Sequence, residues 1–272
     1  NWIHIQDLAP LAGLTKLLTL SLNKNPISDG TTLAALPQLV ELNIESTEIG
    51  DIGPLAHLGT LKVLLLRSMG LVDISPLAGL ENLQRLYLDS NDIVDIGPLA
   101  GLTQMKTLEL QFNEIEDISS LAGLTKLEHL ELHYNHVRDI TPLAGLTNLK
   151  SLELARNEVG DIASLAGLSR LEELDLEKNT ISDISSLAEM RQLRELNLEE
   201  NHITDLAGLP PFRPETQLNL ASNQIPSLAP LVKKTASARG MLIGLGDNLF
   251  PNEDFVTHIP AIEAQGNQVF EK

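Results

Sequence analysis

Hydrophobic and polar positions along the chain recur every 22 residues in the pattern L-x-x-L-x-L-x-x-N-x-I-x-D-I-x-P-L-A-G-L-x-x, and ten copies follow one another almost without slippage. The Asn column reads Asn25, Thr47, Met69, Asn91, Asn113, Asn135, Asn157, Asn179, Asn201 and Asn223. A fixed period of this size predicts a solenoid, because one unit cannot bury its apolar side without its neighbours. In the copy beginning at Met105, Leu108 and Leu110 alternate with polar residues at the period of a half-buried strand. Asn113 ends that strand, and its amide can bond backbone groups of adjacent coils, so the stacked Asn residues predict an internal ladder. Asp117 and its equivalents (Asp7, Asp29, Asp51, Asp73, Asp95, Asp139, Asp161, Asp183 and Asp205) stand where a carboxylate accepts backbone N–H groups at the start of the next short turn. The following segment, Ser119 to Leu124, is too short for an α-helix. Other copies carry Pro54, Pro76, Pro98 or Pro142 there, and both facts predict a single 3₁₀-like turn.

Parallel strands stack about 4.8 Å apart, so ten of them predict a sheet on the order of 43 Å long. The turn opposite is bulkier than a strand, which places the sheet on a concave inner wall. The expected fold class is an α/β repeat solenoid with a concave parallel β-sheet, short 3₁₀ turns on the convex side and a C-terminal helical cap. Residues 1–228 are read as the repeats and 229–272 as a final irregular repeat and cap. Within the cap, Phe255, Ile259 and Ile262 fall at helical spacing, Asn252 is a candidate N-cap, and Pro260 is expected to break the segment into two short helices. Met69, accompanied by Gly70, cannot take part in an amide ladder and predicts local irregularity or a bound water near the third repeat; Thr47 keeps part of the bonding. Pro210 to Glu215 replaces the usual run into the next strand and predicts an altered connection, with the apolar column broken at Glu215.

The strings Asp95-Ile-Gly-Pro-Leu-Ala-Gly-Leu-Thr103 and Asp139-Ile-Thr-Pro-Leu-Ala-Gly-Leu-Thr147, joined to L-x-x-L-x-L-x-x-N-x-I, closely resemble the 22-residue leucine-rich repeats of internalins and related bacterial proteins. The resemblance covers roughly residues 5 to 228. It implies a leucine-rich-repeat horseshoe, a secreted or bacterial cell-surface setting, and recognition of another macromolecule, commonly a host protein. Internalins carry a helical cap before the first repeat. Here only Asn1 to Ile5 precede Gln6, with Trp2, Ile3 and Ile5 apolar, so a trimmed cap is expected.

Composition narrows the chemistry. A net charge of −18 repels nucleic acid, although the ten repeated Asp residues make much of it architectural. Cysteine is absent, which removes disulfides, thiolate metal sites and cysteine nucleophiles. No apolar run approaches the roughly 20 residues of a membrane-spanning helix, so no membrane insertion is expected.

With the core columns subtracted, function falls to the outward strand positions and the residues just after them. Counting the first Leu of each unit as one, column five carries Tyr87 followed by Glu109, Glu131, Glu153 and Asp175. Four carboxylates in register repel one another by roughly 0.8 kcal/mol per adjacent pair even in water, and a fold does not need them. Columns seven and eight add Phe112, His133, Tyr134, Arg156, Glu177 and Glu199, with His129 nearby. Aromatic residues are only 3% of the chain, so their concentration on three adjacent repeats has the composition of an interface anchor. Further along, Glu172, Glu173, Glu195 and Glu200 extend an acidic patch that suits a basic surface on the partner.

His129, Glu131 and His133 alternate on one strand beside Glu109 and Glu153, but residues two apart on a strand are about 7 Å apart, so no preformed metal site is expected. No phosphate loop, nucleophile elbow or buried acid–base pair is visible, and neither catalysis nor a cofactor is expected. The sequence thus predicts a monomeric protein-binding module. Two alternatives stand beside it. One is an intracellular regulatory scaffold, since the regulatory subunit of type-1 phosphatase resembles the same repeat class but lacks the P-L-A-G-L-T string; the other is a structural spacer that binds nothing.

Overall fold

A computed structural model describes residues 4–270 of the protein. They fall into two compact units that divide between Asn135 and His136. The first contains strands β1 (Thr19–Ser21), β2 (Glu41–Asn43), β3 (Val63–Leu65), β4 (Arg85–Tyr87), β5 (Thr107–Glu109) and β6 (His129–Glu131). Each pairs in parallel with the next at an offset of one repeat, as in Leu86 beside Leu108 and Leu108 beside Leu130. The second contains β7 (Ser151–Glu153), β8 (Glu173–Asp175), β9 (Glu195–Asn197), β10 (Gln217–Asn219), β11 (Leu242–Gly244) and β12 (Gln268–Phe270), paired in the same way. This is the predicted leucine-rich-repeat solenoid, with two strands beyond the ten read from the period.

The core follows from the repeat. Leu108, Leu110, Ile115, Ile118, Leu121 and Leu124 are all buried, as are their equivalents in neighbouring copies. Burying each such side chain stabilises the coil by about 1.5–3 kcal/mol. Short 3₁₀ turns such as Gly53–His57 and Ser119–Gly123 begin two residues after the repeat Asp. Asp51 Oδ1 accepts the N–H of Gly53 at 2.7 Å and Asp117 Oδ1 that of Ser119 at 2.7 Å, so the Asp column is structural as predicted. In Asp29, Asp73, Asp139 and Asp183 the backbone N–H, seconded by the hydroxyl of the same Thr or Ser, holds the carboxyl below its ordinary pKa.

The Asn ladder is built from bonds within and between coils. Asn113 Oδ1 accepts the Ile93 N–H at 3.0 Å, and its Nδ2 donates to the carbonyls of Leu88 at 3.1 Å and Leu110 at 2.9 Å. At Thr47 the hydroxyl keeps only the bond to the Ile44 carbonyl, at 2.8 Å, and the Ile27 N–H turns instead to the Asn25 carbonyl at 2.9 Å. At Met69 the predicted irregularity takes a definite form. Gly70 enters the left-handed region at φ 65°, and Asn91 Oδ1 accepts two N–H groups, from Met69 at 3.0 Å and Leu71 at 3.1 Å. Glycine adopts that φ at no steric cost.

The altered connection after β9 repairs itself. Phe212 takes the buried place of the missing Leu, and Thr216, fully buried, bonds the carbonyls of Leu193 at 3.3 Å and Arg213 at 2.9 Å where Glu215 breaks the apolar column. Gly208 lies against the preceding turn so closely that a Cβ would stand 2.5 Å from the Ile184 carbonyl oxygen.

The closing segment departs from expectation in three ways. A helix, α1 (Ala229–Thr235), replaces the 3₁₀ turn after β10. Pro260 does not split the cap into two separated helices. A π turn over Asp254–His258 runs directly into α2 (Ile259–Ala264), because widening the preceding turn absorbs the missing Pro260 N–H and the ring's clash with the previous turn. Asn252 makes no capping bond, and Phe255 is exposed while Ile259 and Ile262 are buried, since the π turn rotates Phe255 off the apolar stripe. Asp254 is buried and ties the cap to α1 by accepting the Leu228 N–H at 2.9 Å. At the other end, Ile5 donates its N–H to Asn25 Oδ1 at 2.9 Å, while Trp2 and Ile3 lie outside the described residues. No helix among the described residues is long and apolar enough to cross a membrane.

Candidate protein-binding face

In the first unit the outward face of β2 to β5 is organised by Arg67, just after β3. Its guanidinium bonds Asp89 Oδ1 at 2.6 Å and Glu109 Oε2 at 2.5 Å, lies 3.8 Å from Glu45 Oε2, and sits 4.4 Å from the centroid of the Tyr87 ring. Partial burial of the guanidinium opposes its charge, but the hydrogen bonds and charges of Glu109 and Asp89 outweigh this and raise its pKa above the ordinary value. Glu109 is therefore not one of four uncompensated carboxylates. It is a fixed ligand of Arg67, and the pair holds Tyr87 in place from below its face.

Beside this network lie Phe112 and Tyr134. Their rings stack at 4.4 Å between centroids and 18° between planes, and His133 meets both edge-on at 5.3 and 5.9 Å. Phe112 is 47% exposed and Tyr134 44%. Both occupy the position before the ladder Asn, which is left-handed in every repeat from Lys24 to Ser222, with φ of 56° at Phe112 and 54° at Tyr134. Ser46, Ser68 and Ser90 show that a small residue suffices in this backbone. A bulky ring there costs on the order of 1–2 kcal/mol of backbone strain and gains exposure to solvent in return. His129 is exposed on β6, and Glu131 is half-buried two residues on.

The second unit is acidic and only partly self-compensated. Arg156 pairs with Glu177 at 2.8 Å, Lys178 with Glu200 at 3.3 Å and Arg194 with Glu172 at 3.2 Å, and Asn219 Nδ2 donates to Glu199 at 2.6 Å. Asp175 Oδ1 accepts the Glu177 N–H at 2.9 Å, a strand-end bond that Asn43, Asn197 and Asn219 also make. Burial raises the Asp175 pKa; its bond from the Glu177 N–H pulls the other way, and the charges of Glu177 and Glu153 add to the rise. Glu153 is half-buried on β7. Glu173 and Glu195 face each other in register on β8 and β9, both exposed and with no ion pair among the described residues.

The structure thus gathers Tyr87 and Glu109 around Arg67, and Phe112, His133 and Tyr134 around one another, all within the first unit. Arg156, Glu177, Asp175 and Glu199 belong to the second. Arg67 was missed by sequence reasoning. The signal was present, since it is the one Lys or Arg in column seven, with Glu45 and Asp89 one repeat away on either side.

The leucine-rich-repeat family pattern matches residues 81–137 and 147–203, and a two-copy version of it matches 125–167. Among solved structures, internalin C2 of Listeria monocytogenes is 36% identical over 68% of this chain and 80% of its own length, with a TM-score of 0.62. A second Listeria monocytogenes internalin, InlF, is 29% identical over 99% of this chain and 85% of its own, with a TM-score of 0.80. A Leptospira interrogans leucine-rich-repeat protein shares the fold at 18% identity, TM-score 0.69, over 96% of this chain and 86% of its own. No match emerges among curated protein sequences. The class is therefore the leucine-rich-repeat proteins. Within it, the chain belongs to the internalin-type family of bacterial repeat proteins.

Proposed function

We propose that the protein is a secreted or surface-displayed recognition module that binds a protein partner on the outward, concave face of its sheet. The stacked and exposed pair Phe112 and Tyr134 carries the reading. Exposed aromatic area surrounded by charge is the composition of interface anchors. The Tyr87, Arg67 and Glu109 network is preorganised, so little side-chain entropy is lost when a partner covers it. In the first unit Glu131 adds a carboxylate, with His129 and His133 as further contacts; in the second, Glu153, Asp175, Glu177 and Glu199 form an acidic face, with Arg156 as a further contact. Glu173 and Glu195, exposed and uncompensated, are the strongest attraction for a basic surface. The reading assigns no catalytic step to the chain and treats it as a monomer.

The test is capture of host cell-surface proteins by the wild type and by the double variant Phe112→Ala/Tyr134→Ala. Loss of one specific band with the variant supports the aromatic anchor. An unchanged band contradicts it, and no specific band with either form favours a structural spacer.

A further inference from the structure

On the leading edge of its strands the first unit carries a second surface feature, distinct from the aromatic pair. A shallow trough crosses β2 to β6, floored by Val40 and Val63 and walled by Lys62, Arg85, Lys106 and Thr107. The chain has 37 acidic and 19 basic side chains, and many of its cations are occupied. Arg67, Arg138, Arg156, Lys178, Arg191 and Arg194 all stand in ion pairs. Lys62, Arg85 and Lys106 do not. They are exposed, one per strand or strand approach on three successive repeats, and join no ion pair among the described residues.

The repeat does not impose this sign. The same two columns hold Glu172, Glu173 and Glu195 in the second unit, so the strand geometry accepts charges of either kind. Neighbouring strands lie about 4.8 Å apart, so three uncompensated cations repel one another in the free protein, a cost that an anionic ligand removes. Two observations set the ligand's size and kind. Carboxylates at the ends, Glu41 on β2 and Glu128 before β6, limit the basic stretch to about 10 Å and oppose a long polyanion. The valine floor and the lysine stems accept an apolar side chain between acidic ones.

We propose that this trough docks a short extended acidic peptide segment of the protein partner. Carboxylates of the segment meet Lys62, Arg85 and Lys106, and an intervening apolar residue rests on Val63. The proposal rests on the protein being a binder of proteins, and not on the aromatic pair.

The experiment uses the whole chain and a fluorescein-labelled, N-acetylated and C-amidated peptide in which glutamates flank a valine, followed by fluorescence anisotropy. Saturable binding is expected. It should weaken with added salt and fall about tenfold or more in Lys62→Glu/Lys106→Glu, whose side chains are exposed, while Phe112→Ala/Tyr134→Ala binds the peptide as the wild type does. Should the charge reversal lower the melting temperature, Lys62→Gln/Lys106→Gln gives the same comparison. Absence of saturable binding, binding that survives both substitutions, or tighter reversal-sensitive binding of a heparin oligosaccharide than of the peptide would each overturn the proposal. Loss of partner capture in the aromatic variant with peptide binding retained keeps the two sites distinct.

Discussion

Phe112 and Tyr134 stack ring on ring at 4.4 Å, one repeat apart, although both backbones are left-handed. Stacking contributes about 0.5–1.5 kcal/mol, and two left-handed rings cost on the order of 1–2 kcal/mol each. The expected result is that Phe112→Gly/Tyr134→Gly changes stability by less than about 1 kcal/mol or raises it, because relieved strain offsets the lost stack. Urea unfolding of the variant beside the wild type measures this. A large destabilisation would mean that the rings serve the fold.

Ladder positions should differ sharply in cost. Asn113→Ala leaves the Ile93 N–H and two carbonyls with fewer partners inside the coil, and about 3 kcal/mol of stability should be lost. Thr47→Ala removes one hydroxyl bond where the chain has already rerouted the Ile27 N–H, and about 1 kcal/mol should be lost. Equal losses in denaturant unfolding would show that the ladder is not what stabilises the coil.

Gly208→Ala should destabilise by at least about 2 kcal/mol, because its Cβ meets backbone of the preceding repeat, which cannot yield as a side-chain end can. Gly79→Ala is the comparison. Nothing lies within 4 Å of the added carbon there, and the change should be neutral within about 0.5 kcal/mol. Thermal unfolding monitored by circular dichroism distinguishes the two.

Acid should act on the two kinds of Asp in opposite senses. Asp29, Asp73, Asp139 and Asp183 have folded pKa values below the unfolded one, so the stability they contribute is full above the ordinary carboxylate value and is lost as pH falls through the lowered folded values. Asp175 is raised by burial, so its charge opposes folding at neutral pH, and that penalty disappears as pH falls through its folded value and then the unfolded one. Asp175→Asn keeps the oxygen that accepts the Glu177 N–H. It should raise the urea midpoint at pH 7, with the gain shrinking as pH falls through the raised folded value and gone below about 4. A gain that persists at low pH would contradict the assignment.

Most of the fold was legible because each structural bond recurs in one column. Asp117 and Asn113 could be assigned their roles from position alone, and both make the predicted bonds. What was not legible depends on contacts between columns or on single events. Arg67 looked like one cation among variable residues until its reach to Glu109, 42 residues on, was visible. Counting charges along column five treated Glu109 as unpaired for the same reason. The left-handed backbone at Phe112 was hidden because column eight accepts Ser, Lys, Arg, Phe and Tyr alike. In the cap, Pro260 signalled a disturbance, but whether a helix breaks or widens into a π turn depends on the packing of Asp254, Ile259 and Ile262.

The central claim, that a protein partner lies on the outward sheet face, is tested most directly by site-specific photo-cross-linking. p-Benzoylphenylalanine replaces Tyr134 on that face in one sample and exposed Ala100, at the end of the Gly97–Leu99 3₁₀ turn, in another, and each is irradiated with intact host cells. The account predicts a discrete protein adduct from position 134, competed away by unlabelled wild-type protein, and none from position 100. A competable adduct from position 100 with none from position 134 would contradict it.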